Sequence, residues 1–148
     1  MPAAAPARRR AAVQADWPAI EQLLLLAELP REGAHAHLDS FTCGESGGML
    51  VGAAGLELHG TAALLRSVVV APAAQGRGIG NRLVERLVRQ CGQHGVRWLY
   101  LLSTSAQAYF ARLGFTELPR AKIPAPLQAS PQFQGICPAS ASAMVRAI

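Results

Sequence analysis

The six residues Gln75-Gly76-Arg77-Gly78-Ile79-Gly80 stand where a run of apolar residues hands over to helical spacing, and they constrain the fold more than any other segment. Upstream, Leu64, Leu65, Val68, Val69 and Val70 read as a buried strand that Ala71-Pro72 ends. Downstream, Ile79, Leu83, Val84, Leu87, Val88 and Cys91 recur at the spacing of one helix face. A glycine-rich turn therefore opens a helix. Glycines let the backbone approach a ligand closely, and the first N–H groups of a helix have no internal partners, so such a turn suits an anion, phosphate above all.

Residue identity excludes two nucleotide motifs. A Walker loop ends in Gly-Lys-Ser/Thr, and the single lysine, Lys122, lies far from this turn. A dinucleotide fingerprint beginning at Gly76 would need glycine at position 81, which is Asn81. The pattern present is a Val-x-Pro strand end, Val70-Ala71-Pro72, followed by Gln/Arg-x-x-Gly-x-Gly/Ala with Gln75, Gly78 and Gly80. It resembles the pyrophosphate-binding motif of the GNAT superfamily of N-acetyltransferases. That resemblance implies that the backbone amides of Gln75, Gly76, Arg77, Gly78, Ile79, Gly80 and Asn81 cradle the diphosphate of acetyl-coenzyme A (acetyl-CoA).

Length and composition agree with such a fold. A chain of 148 residues is expected to form one domain, residues 1–148, with a real core. The densest apolar run, Leu23 to Ala27, falls well short of the roughly 18 residues that span a bilayer. The first ten residues include Arg8-Arg9-Arg10 but no apolar stretch of the kind a secretory signal needs, so a cytoplasmic, non-membrane protein is expected. Cys43, Cys91 and Cys137 are odd in number and lack CxxC spacing, which argues against a disulfide framework and a zinc site; no metal is expected. A net charge of +5 raises the question of nucleic acid. The arginines are scattered and aromatics make up only 5%, so no basic stripe with stacking rings exists, and a polyanionic cofactor accounts better for the bias.

Periodicity and turn signals place the remaining elements. Arg8 to Val13 reads as a first strand; Asp16 reads as an N-cap, with Pro18 in the first turn of a helix that runs through Ile20, Leu23, Leu24 and Ala27 to Pro30. A shorter helix is expected over Ala34 to Ser40. Phe41-Thr42-Cys43 and Met49 to Leu58 form a hairpin around Glu45-Ser46-Gly47-Gly48, and His59-Gly60 turns the chain into a strand over Ala63 to Val70. After the long helix come a break at Gly92 to Gly95, a buried strand at Trp98 to Leu102, a helix at Ala106 to Leu113 and a left-handed stop at Gly114. Prolines interrupt the pattern from Pro119 to Pro138, and Ala143 to Ile148 is expected as an apolar edge strand. The order β-α-α-β-β-β-α-β-α-β fits an α/β fold with a mixed central sheet flanked by helices, the GNAT fold.

Further segments extend the resemblance along the chain: Gly55-Leu56-Glu57, Leu64-Leu65-Arg66-Ser67, Tyr100-Leu101-Leu102-Ser103-Thr104, Tyr109 through Phe115, and Cys137-Pro138-Ala139-Ser140-Ala141. Together they look like the arsenic-resistance N-acetyltransferases, which are themselves similar to the acetyltransferase domains of N-acetylglutamate synthases. The resemblance implies transfer of an acetyl group from acetyl-CoA to the primary amine of a small molecule, an amino acid or analogue. A homodimer is compatible with it. Thr104 and Phe110 join the expected coenzyme-binding positions. So do Val68, Val69 and Val70, where the family's amide matching Val68 meets the acetyl carbonyl and that matching Val70 pairs with pantetheine. The alternatives are a coenzyme-A-binding module with little turnover, a site for trivalent arsenic on the three thiols, and a protein N-acetyltransferase.

The chemistry needs a base for the amine, a donor for the oxyanion and a route for the thiolate. Glu57 is the candidate base, directly or through water, because it lies within an otherwise apolar strand; the other reading is a solvated outward residue. Arg66, counted onto the same strand face as Val68 and Val70, is the candidate for an acceptor carboxylate, or else a salt bridge at the sheet's end. Many relatives carry a tyrosine acid four residues before the Gly of Gly-Phe, where this chain has Phe110, with Tyr109 one residue earlier. A helix turns about 100° per residue, so Tyr109 is equally a catalytic acid or a half-buried packing aromatic. His35 and His37, two apart, would point about 200° apart on a helix and make a poor metal pair.

Overall fold

The computed structural model describes residues 7–136 and 140–148, so the expectations placed on Cys137, Pro138 and Ala139 lie outside the described residues. Seven strands form a mixed sheet in the order β1-β2-β3-β4-β5-β7-β6. They are β1 (Arg8–Ala11), β2 (Phe41–Ser46), β3 (Met49–His59), β4 (Ala62–Val70), β5 (Trp98–Ser103), β6 (Thr116–Leu118) and β7 (Ser142–Ala147), with helices α1 (Trp17–Leu26), α2 (Ile79–Gln93), α3 (Gln107–Arg112) and α4 (Ala125–Gln128). β4 and β5 run parallel, whereas β1 with β2, β2 with β3, β5 with β7 and β6 with β7 are antiparallel. By packing, the chain divides into two compact units, residues up to Gly55 with Ser67–Leu87, and Leu56–Arg66 with Val88–Ile148.

In the first unit, the period of two sorts small residues to opposite sides of the β2–β3 hairpin. Cys43 and Ala53 join the core that Ile20, Leu23 and Leu24 of α1 form with Phe41 and Val69. Gly44 and Gly52 turn the other way, where an added Cβ would press on Ile79 and Leu83 of α2 at 3.1–3.8 Å. A Cβ at Gly55 would overlap the Phe41 ring, so this glycine is imposed by packing. The hairpin closes through Gly47 and Gly48, at φ 59° and 79°, the two left-handed residues a tight two-residue turn needs.

The start of this unit differs from the sequence reading. Asp16 occupies the N-cap position of α1, as expected, with Pro18 in the first turn, but its carboxylate does not cap forward: a 3-10 turn over Gln14–Asp16 precedes α1, and the carboxylate accepts the Val13 N–H at 2.7 Å and both Arg10 nitrogens at 2.7 Å. Arg10 also donates to Glu45 at 2.8 Å, tying β1 to β2. The short helix expected here is present as a 3-10 helix over His35–Ser40, kinked at His37, where φ and ψ are non-helical. α1 ends in the 6→1 pattern of a left-handed cap: the Leu29 N–H donates to the Leu24 carbonyl at 2.9 Å, and Glu28 takes the φ of 56° that glycine would hold at lower cost.

In the second unit, Ala62 and Leu64 of β4, Tyr100 of β5 and Ala143 of β7 pack with Ile123 and Leu127. Where the prolines interrupt the pattern, the described residues form a 3-10 turn at Arg120–Lys122, α4, and a π-turn beginning at Gln132. One correction arises here. β7 is not an edge strand, because β6 pairs with it, Thr116 opposite Val145 and Leu118 opposite Ala143. Three residues are too few to show an alternation, which is why β6 left no trace in the pattern. Gly114, at φ 93°, ends α3 as expected, and Arg146 Nη1 caps the Leu113 carbonyl at 2.8 Å. No helix among the described residues is long and apolar enough to cross a membrane.

Candidate functional site

The glycine loop is built as its spacing predicts. β4 ends at Val70, residues Pro72–Ala74 make a single 3-10 turn, and the loop reaches α2 at Ile79. Gly76 and Gly78 sit at φ 80° and 77°, and an added Cβ at either would meet nothing within 4 Å. Backbone conformation, not crowding, therefore demands these two glycines, and the absence of side chains leaves the amides approachable. Gln75 Nε2 donates to the Val70 carbonyl at 3.1 Å, fastening the loop to the strand end, and Arg77 Nη2 donates to Ser46 Oγ at 3.4 Å. Ile79 is buried, so the helix start is anchored, while Asn81 is exposed and Gly80 half-buried. A diphosphate fits this arrangement: a fixed helix start, two Cβ-free loop positions and a cation within the loop.

Val68 and Val70 are half-buried, and Val69 between them is packed into the core with α1. Ser67, just before them, holds φ 59° inside the strand. A non-glycine residue in the left-handed region is uncommon and bends a strand locally, so strand faces cannot be counted across it. Arg66 therefore does not take its orientation from Val68 and Val70.

In the second unit, Arg66 and Glu57 form a solvent-excluded pair. Arg66 Nη1 lies 2.8 Å from Glu57 Oε2, and their side chains are 0% and 1% exposed. The anionic partner that burial requires of Arg66 is thus present within the chain. Ser130 Oγ donates to the same oxygen at 3.0 Å, and Ser130 Oγ in turn accepts the Gln132 N–H at 3.2 Å. Glu57 Oε1 lies 3.7 Å from His59 Nε2, and His59 is the partly exposed member of the group. Glu57 is therefore not an outward, solvated strand residue. Sequence reasoning missed Ser130 and His59: Ser130 sits in a proline-broken stretch with no period, and His59 reads as a turn residue.

Tyr109 is half-buried on α3, edge-on to Phe110 at 5.1 Å between ring centroids. Burial pushes its phenol above the usual value, with Arg112 opposing weakly, so the hydroxyl stays protonated at neutral pH. Phe110 is buried against Phe115, centroids 5.8 Å apart. Thr104 is exposed after β5. Its neighbour Ser103 accepts the Ala106 N–H at 2.9 Å and so starts α3, a role that the sequence pattern does not reveal. Burial raises the thiols of Cys43 and Cys91 to about 11 each, leaving both protonated at neutral pH. Among the described residues no three His, Cys, Asp or Glu side chains gather as metal ligands.

Comparison with known proteins agrees with this geometry. The sequence model described as the acetyltransferase (GNAT) domain matches residues 37–117. The amino-acid acetyltransferase of Neisseria meningitidis is 29% identical over 107 residues, 71% of this chain, and the chain spans only 24% of that relative's length. N-acetylglutamate synthase from Neisseria gonorrhoeae, in complex with coenzyme A and N-acetyl-glutamate, superposes with a TM-score of 0.82 at 25% identity, covering 95% of this chain and 35% of that one. A Mycobacterium tuberculosis protein with bound CoA shares the fold at TM-score 0.80 and 24% identity, over 95% of this chain and 99% of its own. With the glycine loop inside the matched segment, the chain belongs to the GNAT acetyltransferase family.

Proposed function

We propose that this protein transfers the acetyl group of acetyl-CoA to the primary amine of a small amino acid or a close analogue. The observation that carries the reading is the loop from Gln75 to Asn81, with Gly76 and Gly78 left-handed and α2 beginning immediately after. In this reading the loop amides hold the diphosphate, the Val68 N–H faces the acetyl carbonyl and the Val70 N–H holds pantetheine. Similarity to proteins named for amino-acid acetylation supports the acceptor class. The resemblance to arsenic-resistance enzymes adds arsenic-bearing and phosphonate analogues of amino acids to the acceptors worth screening.

The residues then divide the work. Glu57, closed to solvent, takes the proton of the attacking amine by way of His59, the partly exposed imidazole 3.7 Å from Glu57 Oε1, with Arg66 balancing its charge and Ser130 fixing its orientation. The Val68 amide stabilises the oxyanion as the amine–carbonyl bond forms. Tyr109, protonated at neutral pH, returns a proton to the departing thiolate. Release of free thiol from acetyl-CoA, followed across a panel of amino acids and their phosphonate and arsenic analogues, tests the assignment. Acetylation of at least one member is expected; thiol release no faster than spontaneous hydrolysis with every member would overturn it.

A further inference from the structure

Apart from the glycine loop and the Glu57 cluster, the second unit carries a cavity of about 240 Å³ lined by Arg120, Ala121, Gln128, Phe133 and Gln134. Pockets for drug-sized ligands run to roughly 300–1,000 Å³, so this one suits a smaller guest. Arg120 is the one ionised residue among the five, and its guanidinium carbon lies 5.6 Å from the centroid of the Phe133 ring. Arg120 Nη1 also donates to the Ala141 carbonyl at 3.4 Å. A guanidinium laid on an aromatic face and steadied at one nitrogen keeps its orientation, and its planar fork matches a carboxylate.

The two amides are equally fixed. Gln128 Nε2 donates to the Ile123 carbonyl at 2.7 Å, and Gln134 Nε2 donates to the Gln128 carbonyl at 2.7 Å. The wall is thus a preset polar surface around one cation. Its backbone is also continuous with the Glu57 cluster: Ser130, which donates to Glu57, lies between Gln128 and Phe133, and the Phe133 N–H donates to the Ser130 carbonyl at 2.9 Å. A single short segment therefore presents one side chain to the buried carboxylate and three to the cavity.

We infer that this cavity binds the carboxylate of an amino-acid acceptor, with Arg120 as the specificity-determining cation. The inference rests on the transferase reading above and names the group that its acceptor must carry. The test compares acceptor pairs that differ only in carboxylate against carboxamide, using the intact protein and Arg120→Gln. Loss of a charge-assisted contact, about 1.5–3 kcal/mol, corresponds to a KM increase of roughly 10- to 100-fold for the carboxylate acceptor. The KM for the carboxamide acceptor and for acetyl-CoA should stay within about twofold of the unchanged protein. Phe133→Leu, which removes the ring but keeps an apolar wall, should raise the same KM by a smaller factor. If Arg120→Gln is too unstable to assay, Arg120→Lys keeps the charge without the fork and should show an intermediate rise. Equal changes for both acceptors, or none, would overturn the inference. Failure to acetylate any amine would instead remove the transferase reading itself.

Discussion

Glu57 and Arg66 meet at 2.8 Å with both side chains closed off from solvent, and Ser130 completes the contact from a segment 73 residues further along the chain. A buried pair of this kind contributes little net stability against a well-packed apolar substitute, but losing one member leaves a charge stranded. Arg66→Met should therefore destabilise the protein by about 3–5 kcal/mol. The double variant Glu57→Gln/Arg66→Met should recover much of that loss, because glutamine still accepts the Ser130 hydroxyl. Urea titration of the two single variants and the double variant measures the coupling. Strictly additive losses would mean that the two residues do not depend on each other.

Gly78→Asp should abolish detectable acetyl-CoA binding while the protein remains folded. No neighbour lies within 4 Å of the added Cβ, so the substitution does not disturb packing. It forces a side chain into a φ of 77° and sets a negative charge against the diphosphate. Calorimetric titration with acetyl-CoA is the measurement, and an unchanged affinity would remove the phosphate role of the loop.

Tyr109→Phe tests the thiolate step. The proposed acid predicts a fall in kcat of about 10²–10⁴ with little change in the KM for acetyl-CoA. A thiol of pKa near 8.5, by analogy with cysteine, leaves as a fairly stable anion. A loss smaller than about threefold would therefore assign departure without an acid.

The Arg10–Asp16 contact predicts an acid limb in stability. Hydrogen bonds from the Arg10 guanidinium hold the Asp16 carboxyl below its usual range, against the opposing effect of burial, with the Val13 N–H adding to the lowering. A depressed folded value means that the contribution is complete above the unfolded value of about 3.9 and is lost as pH falls through the folded one. The melting-temperature gap between the natural protein and Asp16→Asn should thus be widest near neutral pH and shrink below about pH 4. A gap that stays constant from pH 7 to about pH 3 contradicts the assignment.

Glu28→Gly should raise stability. Glu28 is exposed and holds φ 56° at the end of α1, where a non-glycine residue costs roughly 1 kcal/mol. For a domain of this size the gain corresponds to a rise in melting temperature of about 2–4 °C, readable by calorimetry. A decrease would show that the Glu28 side chain contributes more than its backbone costs.

The sequence by itself determined the parts whose causes are local. The glycine loop, the helix after it, the β2–β3 hairpin, β4, β5 and the α3 stop at Gly114 were all legible. Each depends on a spacing or a φ that a few consecutive residues declare, as Gly47-Gly48 and Gly76-x-Gly78 do. Only the tertiary structure decided the rest. It set Ser67 left-handed within a strand, turned Asp16 back toward Arg10, and placed three-residue β6 outside β7. It also joined Glu57 and Arg66 to Ser130, and laid Arg120 over Phe133. These arrangements join residues distant in the chain, or persist only because surrounding packing over-determines a locally unfavourable conformation. Neither cause leaves a periodic mark in sequence, which is why the glycine loop was legible and the cluster of Glu57, Arg66 and Ser130 was not.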